Sequence, residues 1–219
     1  MTLCFARRFA TYNRAPLIFQ DLKRAAALFN NPEHPMQMIF SGKAHPRDDE
    51  GKEYLQQIVE ITKRREFYGK VIFLENYDIN LARHLISGAD VWLNTPRRPL
   101  EASGASGQKV CAHGGLNLGV LDGCWCEGYD GTNGWAISSA ESPEDPEEQD
   151  QLDADTLYGI LEEEVIPFFF DWDEQGIPRG WIDKIRRSMQ ALIPQFNTDR
   201  MVAEYVNRYY LSRKKGPRP

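Results

Sequence analysis

This sequence lacks the features that mark several large functional classes. No apolar run approaches the roughly 18 residues needed to span a bilayer, and Met1 to Arg8 lacks the basic, apolar, small-residue order of a secretory leader. No run of basic residues interleaved with aromatics occurs outside the short tail Arg213-Lys-Lys-Gly-Pro-Arg218. A nucleic-acid surface is therefore not expected, and the tail reads as solvated. The four histidines are scattered, with no two at ligand spacing. Of the four cysteines, Cys4 and Cys111 sit in apolar contexts, while Cys124 and Cys126 flank Trp125 with no second pair at zinc spacing. No metal is expected, and the thiols read as buried or half-buried. These exclusions leave a soluble, cytoplasmic protein as the expectation.

What is present is enough chain, 219 residues, for one substantial domain. The net charge of -6 is concentrated in Glu141 to Asp155, which holds eight acidic residues and no basic one. The segment 141–155 reads as an exposed acidic loop because it is too charged to bury. Elsewhere apolar strands alternate with helical periodicity. Strands are expected at Thr2–Ala6, Met36–Gly42, Lys70–Leu74 and Val91–Asn94, with a strand ending near Gly119 and a short one reaching Ile137. Helices are expected from Pro16 to Asn30, Asp49 to Arg65 and Asn80 to Ser87, and then at Leu152–Glu164, Gly180–Ile193 and Thr198–Leu211. Ile166–Trp172 is aromatic enough to pack as core.

That order predicts an α/β fold with a Rossmann-like, doubly wound parallel sheet over 1–140 and terminal helices over 156–219 packing on the same domain. Ligands of such sheets bind beyond the carboxyl ends of the strands. The loops at Arg7, Lys43, Tyr77 and Glu101 then share one rim.

The richest of these loops is Glu101-Ala-Ser-Gly-Ala-Ser-Gly-Gln-Lys109. Glu101 and Ser103 suit sugar hydroxyls. The N–H groups of Gly104 to Gly107, opening a short helix, suit a phosphate. Arg7 and Arg8 supply fixed positive charge for an anion. Lys109 is either a counter-charge or the amine that carries pyridoxal phosphate, and spacing alone does not choose.

Phe5-Ala-Arg-Arg-Phe-Ala-Thr-Tyr12, Gly42-Lys-Ala-His-Pro46, Glu101 to Lys109 and Asp122-Gly-Cys-Trp-Cys-Glu-Gly-Tyr129 together resemble the carboxyl-terminal domain of α-glucan (glycogen or maltodextrin) phosphorylases of the bacterial and archaeal branch. The resemblance runs from about residue 2 to 211. It implies the second half of a GT-B glycosyltransferase fold and reversible, retaining phosphorolysis of α-1,4-glucan to glucose 1-phosphate. Lys109 then carries pyridoxal 5'-phosphate as a Schiff base, Tyr77 packs against the cofactor, and Ala105, Ser106 and Gly107 surround its phosphate. Glu101, Ala102, Ser103 and Gly104 hold the glucosyl unit, and Arg7 and Arg8 lie beside the substrate phosphate. The partners implied are α-glucan, phosphate, glucose 1-phosphate and an amino-terminal phosphorylase domain in cis or in trans.

The sequence departs from that pattern at several positions. Asn13 stands where the family has a phosphate-neutralising lysine, Ala105 stands where it has threonine, and Ala10 and His113 are unusual. Arg14 is a candidate to compensate for the charge missing at Asn13. Two other readings share the fold: a non-catalytic sugar- or phosphate-binding module, which Asn13 favours, and a nucleotide-sugar glucosyltransferase domain, which has no need of a pyridoxal lysine.

Overall fold

A computed structural model describes residues 1–137, 143 and 145–211. The expected solvated tail at 213–218, residues 138–140, and residues 141, 142 and 144 of the acidic segment lie outside the described residues.

The six strands β1 (Thr2–Ala6), β2 (Gln37–Ser41), β3 (Val71–Leu74), β4 (Val91–Asn94), β5 (Leu116–Val120) and β6 (Gly134–Ile137) form one sheet in the order β3-β2-β1-β4-β5-β6. Every pairing is parallel. The period-2 alternation of β1 explains why both faces are covered: Leu3 and Phe5 point into one core, Cys4 and Ala6 into another. β4 divides in the same way, Val91 and Leu93 on the first face and Trp92 on the second. The Rossmann-like expectation is met.

Helix α1 (Leu22–Phe29) and α2 (Asp49–Lys63) cover the first face. There Phe19 packs edge-on against Phe67 and tilted against Phe40, with centroids 5.3 and 5.9 Å away. Helix α3 (Ile79–Gly88) and α4 (Ala105–Val110) cover the second face through Leu85, Ile86 and Val110. A one-turn helix α5 (Cys124–Gly128) follows β5. Helix α8 (Arg179–Gln195) packs Leu192 on Cys111 and Trp125, and Trp181 on Trp135. Helix α9 (Thr198–Tyr205) and the wide π-turn Val206–Tyr210 that follows it bury no residue.

Two expectations are corrected. The helix read from Pro16 is a 3-10 turn, Ala15–Phe19, and the α-helix begins only after Asp21, whose carboxylate accepts from the N–H groups of Lys23 and Arg24 at 2.9 Å. The exposed acidic loop is, from Pro146 on, a helix: α6 (Pro146–Ile160), capped by Asp145 and continued through a π-turn at Leu161–Val165 into α7 (Ile166–Phe170). Its acidic residues do not all face water. Asp153 is buried, and Asp150 is partly so, because arginines from the sheet rim meet them.

The aromatic segment after α6 is only partly core. Ile166 is buried, but Trp172 is 55% exposed. Cys4 and Cys111 are buried and Cys124 is half-buried, as expected, whereas Cys126 is exposed because it sits on the outer side of α5.

Candidate functional site at the topological switch point

The order of strands reverses between β1 and β4, and that is where a crevice opens at the carboxyl ends of a doubly wound sheet. The exits of β1, β2 and β4 are stitched together there. Arg7 N–H donates to Ser41 O at 3.1 Å and Phe9 N–H to Lys43 O at 3.0 Å, so the β1 and β2 chains run side by side past the sheet. Gly42 is required at this crossing, since a Cβ there would lie 2.0 Å from Arg7 O. From the other side, Arg97 N–H donates to Tyr12 O at 2.6 Å and Thr95 Oγ1 to Asn13 O at 3.0 Å, tying the β1 exit to the β4 exit.

Across this switch point Arg7 donates from Nη1 to Asn94 Oδ1 and from Nη2 to Glu101 Oε2. Both members of the Arg7–Glu101 pair are largely withdrawn from water, with side chains 12% and 7% exposed. Glu101 is fixed by its backbone as well: its N–H donates to Asp122 Oδ2 at 2.9 Å, while Asp122 Oδ1 accepts from Gly123 N–H at 2.9 Å. The loop after β5 thereby supports the loop after β4. Cys124 N–H adds a 2.6 Å bond to Ser103 O.

The remaining expected residues spread outward from that pair. Ala102, Ser103 and Ala105 are exposed, and Gly104, Ser106 and Gly107 are half-buried. Gly104 takes φ 93°, a left-handed conformation that lets the chain enter α4 at once. Trp92 Nε1–H donates to Ser106 Oγ at 3.2 Å, which leaves the serine's own proton free to donate outward. Lys109 is exposed, and its ammonium has no hydrogen-bonding or ion-pair partner among the described residues. Tyr77 is half-buried against the second core, and burial, then the Cys4 thiol, push its phenol above the usual tyrosine range.

The rim therefore gathers Arg7, Asn94 and Glu101 in direct contact. The structure shows no direct bond from Arg8 or Lys109 to that trio. Arg8 is exposed, its Nη2 donating to Tyr12 Oη at 3.2 Å. Asn13 is buried, donates from Nδ2 to Arg8 O at 2.7 Å, and leaves Oδ1 without a partner.

Arg14, the candidate to compensate for Asn13, is committed elsewhere. Its guanidinium is 2% exposed and is bound to Asp150, Asp153 and the carbonyls of Thr95 and Pro96. It cannot turn to an anion on the rim.

Sequence reasoning did not single out Asn94 or Asp122 as site residues. Asn94 is the last residue of β4, and the rule that ligands gather at strand ends was the signal available for it. A hollow of about 570 Å³ lies at the amino ends of β1, β2 and β3, lined by Met1, Asn31, Pro35 and Lys70. It includes no rim residue, so the strand-end geometry and not its size places the site.

Among the described residues, no cluster of three or more metal-ligating side chains occurs and no helix is long and apolar enough to cross a membrane. The donor set fits pyridoxal phosphate in kind: a primary amine without a partner among the described residues, an aromatic side chain, and a short helix with no side-chain cap, in which Gly107 N–H turns back to Gly104 O at 3.1 Å.

Comparison with known proteins identifies the family of the chain. Residues 6–131 match the family model described as carbohydrate phosphorylase. The chain is 51% identical over 207 residues to the maltodextrin phosphorylase of Thermococcus litoralis, covering 94% of this chain and 24% of that protein. It is 45% identical over 210 residues to the glycogen phosphorylase of Aquifex aeolicus, 96% of this chain and 30% of that protein. With the glycogen phosphorylase of Mycobacterium bovis the identity is 46%, covering 96% of this chain and 24% of that protein. The chain spans 24–30% of the length of these relatives.

Proposed function

This chain belongs to the carbohydrate phosphorylase family, and from that premise we propose that it is the cofactor- and glucose-phosphate-side domain of an α-glucan phosphorylase, the second half of a GT-B fold. In this reading the domain takes part in reversible phosphorolysis of α-1,4-glucan to glucose 1-phosphate and is inactive without an amino-terminal domain supplied in cis or in trans. The observation that supports it most is the placement of Glu101 to Lys109 at the switch point, with Glu101 held by Arg7 and Asp122 and Lys109 exposed and without a partner among the described residues.

Lys109 would hold pyridoxal 5'-phosphate, with Tyr77 as a wall and Ala105, Ser106 and Gly107 around the phosphate. Bound there, the cofactor supplies a phosphate group that exchanges a proton with the substrate phosphate. Ser106 Oγ–H, its oxygen already accepting from Trp92, donates outward, while Ala105 provides only its backbone N–H. Glu101, Ala102, Ser103 and Gly104 bind the glucosyl unit, with Glu101 as a hydrogen-bond acceptor for its hydroxyls. Arg8, exposed on the same rim, attracts the substrate phosphate.

A second reading, a sugar- or phosphate-binding module without turnover, is supported by Asn13, which places a neutral, buried amide at a position where charge would serve a dianion. One titration separates the two. The chain mixed with pyridoxal phosphate is expected to gain the absorbance of a lysine-bound cofactor, Lys109→Ala to lose it, and phosphorolysis to appear when an amino-terminal domain is added. A folded chain that takes up no cofactor supports the binding module instead.

A further inference from the structure

The two arginines that leave β1 side by side meet opposite surroundings. Arg8 reaches solvent, whereas Arg7 is spent on Asn94 and Glu101. A guanidinium beside a carboxylate at contact distance carries almost no net charge as seen by a third group, so the Arg7–Glu101 pair offers little attraction to an incoming phosphate, and the carboxylate repels it. What the pair does offer is a fixed acceptor. The Glu101 backbone is already held by Asp122, so the freedom left to this residue is the orientation of its side chain. Arg7 removes that freedom by taking Oε2 in its planar fork, itself anchored by Asn94. The other oxygen, Oε1, lies 3.9 Å from where a Cβ on Gly104 would be. That same point lies 3.4 Å from Cys124 Sγ and 3.8 Å from Asn94 Nδ2, so the missing side chain of Gly104 leaves a narrow space bordered by this oxygen, the thiol and the amide.

We propose that Arg7 is a positioning residue for the sugar side of this site, orienting Glu101 so that Oε1 accepts from a glucose hydroxyl, and that it does not serve as a phosphate ligand. The anion is left to Arg8. This inference rests on the sugar-phosphate reading above and divides that reading between two adjacent arginines.

The test uses the chain as it stands, with D-glucose and inorganic phosphate titrated separately by NMR. Arg7→Gln is expected to weaken glucose about tenfold, as loss of a charged hydrogen-bond partner does, and phosphate by less than about twofold. Arg8→Gln is expected to do the reverse. Arg7→Lys, which reaches only one of the two partners, falls between wild type and Arg7→Gln for glucose and keeps the proposal testable if the glutamine variant folds poorly. In an Glu101→Gln background, Arg7→Gln adds no further loss. Without any ligand, the Arg7 guanidinium nitrogens of the wild type show hindered rotation that Glu101→Gln releases, a signature a general loss of stability does not give. Phosphate binding lost in Arg7→Gln with glucose binding kept overturns the inference and leaves the functional reading standing. A wild-type chain that binds neither ligand overturns both.

Discussion

Arg14 and Asp153, 139 positions apart in the chain, meet at 2.7 Å with side chains 2% and 0% exposed. The arginine comes from the β1 exit and the aspartate from α6, and Arg97 joins them through Asp150 at 2.7 Å. Four donor contacts from Arg14, to Asp150, Asp153, Thr95 O and Pro96 O, fasten the acidic helix to the loops that build the site. Removing Asp153 leaves the buried guanidinium with one carboxylate, the half-buried Asp150, in place of two. Asp153→Ala is therefore expected to cost about 2–3 kcal/mol in urea denaturation, below the full cost of an unpaired buried charge, while Arg14→Met combined with Asp153→Leu costs less than the single change. A loss below about 1 kcal/mol in Asp153→Ala would show that water reaches the arginine and that the clamp is not dry.

The start of α1 makes a smaller test. Asp21 caps two N–H groups at 2.9 Å, and its own backbone carbonyl accepts from Tyr158 Oη–H at 2.9 Å. Asp21→Ala is expected to cost about 1 kcal/mol, and Asp21→Asn much less, since the amide oxygen still caps. Equal losses in the two variants would point to the charge and not the cap.

These two features also show where the sequence was legible and where it was not. Strand periodicity located the sheet because alternation in β1 and β4 is a local property, and the strand-end rule then put Arg7, Tyr77 and Glu101 on one rim. Pro16 is a sound helix-start signal, but the turn it opens closes after one 3-10 stretch, and the cap that counts, Asp21, lay within the helix already assigned. The acidic segment failed for a different reason. Eight acidic residues argue for solvent unless cations meet them, and the cations are Arg14 and Arg97, far away in sequence. The same holds for the site, since the residues of Glu101 to Lys109 were readable but the capture of Arg7 by Glu101 depends on two loops that only the fold brings together.

Gly123 supports Glu101 from below. It takes φ 53°, and a Cβ there would lie 2.7 Å from Ser103 O and 2.9 Å from Glu101 Cγ. Gly131 has φ 87° but open space around it. Gly131→Ala is expected to cost about 1 kcal/mol from backbone strain alone, and Gly123→Ala about 3 kcal/mol because the clash adds to the strain. Only Gly123→Ala is expected to weaken glucose binding. Identical behaviour of the two variants would mean that Glu101 does not depend on this contact.

Alkaline stability should follow the buried acids. Burial pushes the Cys4 thiol to about 12, the Cys111 thiol to about 11 and the Tyr158 phenol to about 12. Between the ordinary values near 9 and 10 and these raised ones, the unfolded chain has released protons that the folded chain retains, so stability falls as pH rises. It is fully present below about pH 9, and each such group removes at most about 1.4 kcal/mol per pH unit above its unfolded value. Urea midpoints at pH 8, 9, 10 and 11, compared between wild type and Cys4→Ala, check this, the variant being expected to show the shallower decline. In the native state a thiol reagent should label exposed Cys126 first and reach Cys4 only on unfolding.

Asn13 decides how much anion the rim can attract. With Arg7 spent on Glu101 and Arg14 on Asp150 and Asp153, Arg8 is the arginine of the β1 exit left facing solvent. Asn13 itself is buried and makes one side-chain bond, to Arg8 O, while its Oδ1 has no partner, so replacing it gives up a single hydrogen bond. A lysine stem can follow the same path and carry its ammonium to the surface. Asn13→Lys is expected to tighten inorganic phosphate about five- to tenfold in low salt, roughly 1 kcal/mol or slightly more for one added charge near solvent, with the gain shrinking as ionic strength rises. Glucose binding should not move, because the neutral ligand feels the carboxylate of Glu101 and not the added charge. Unchanged phosphate affinity would place position 13 away from the anion, and the neutral residue there would then carry no weight for the binding-module reading.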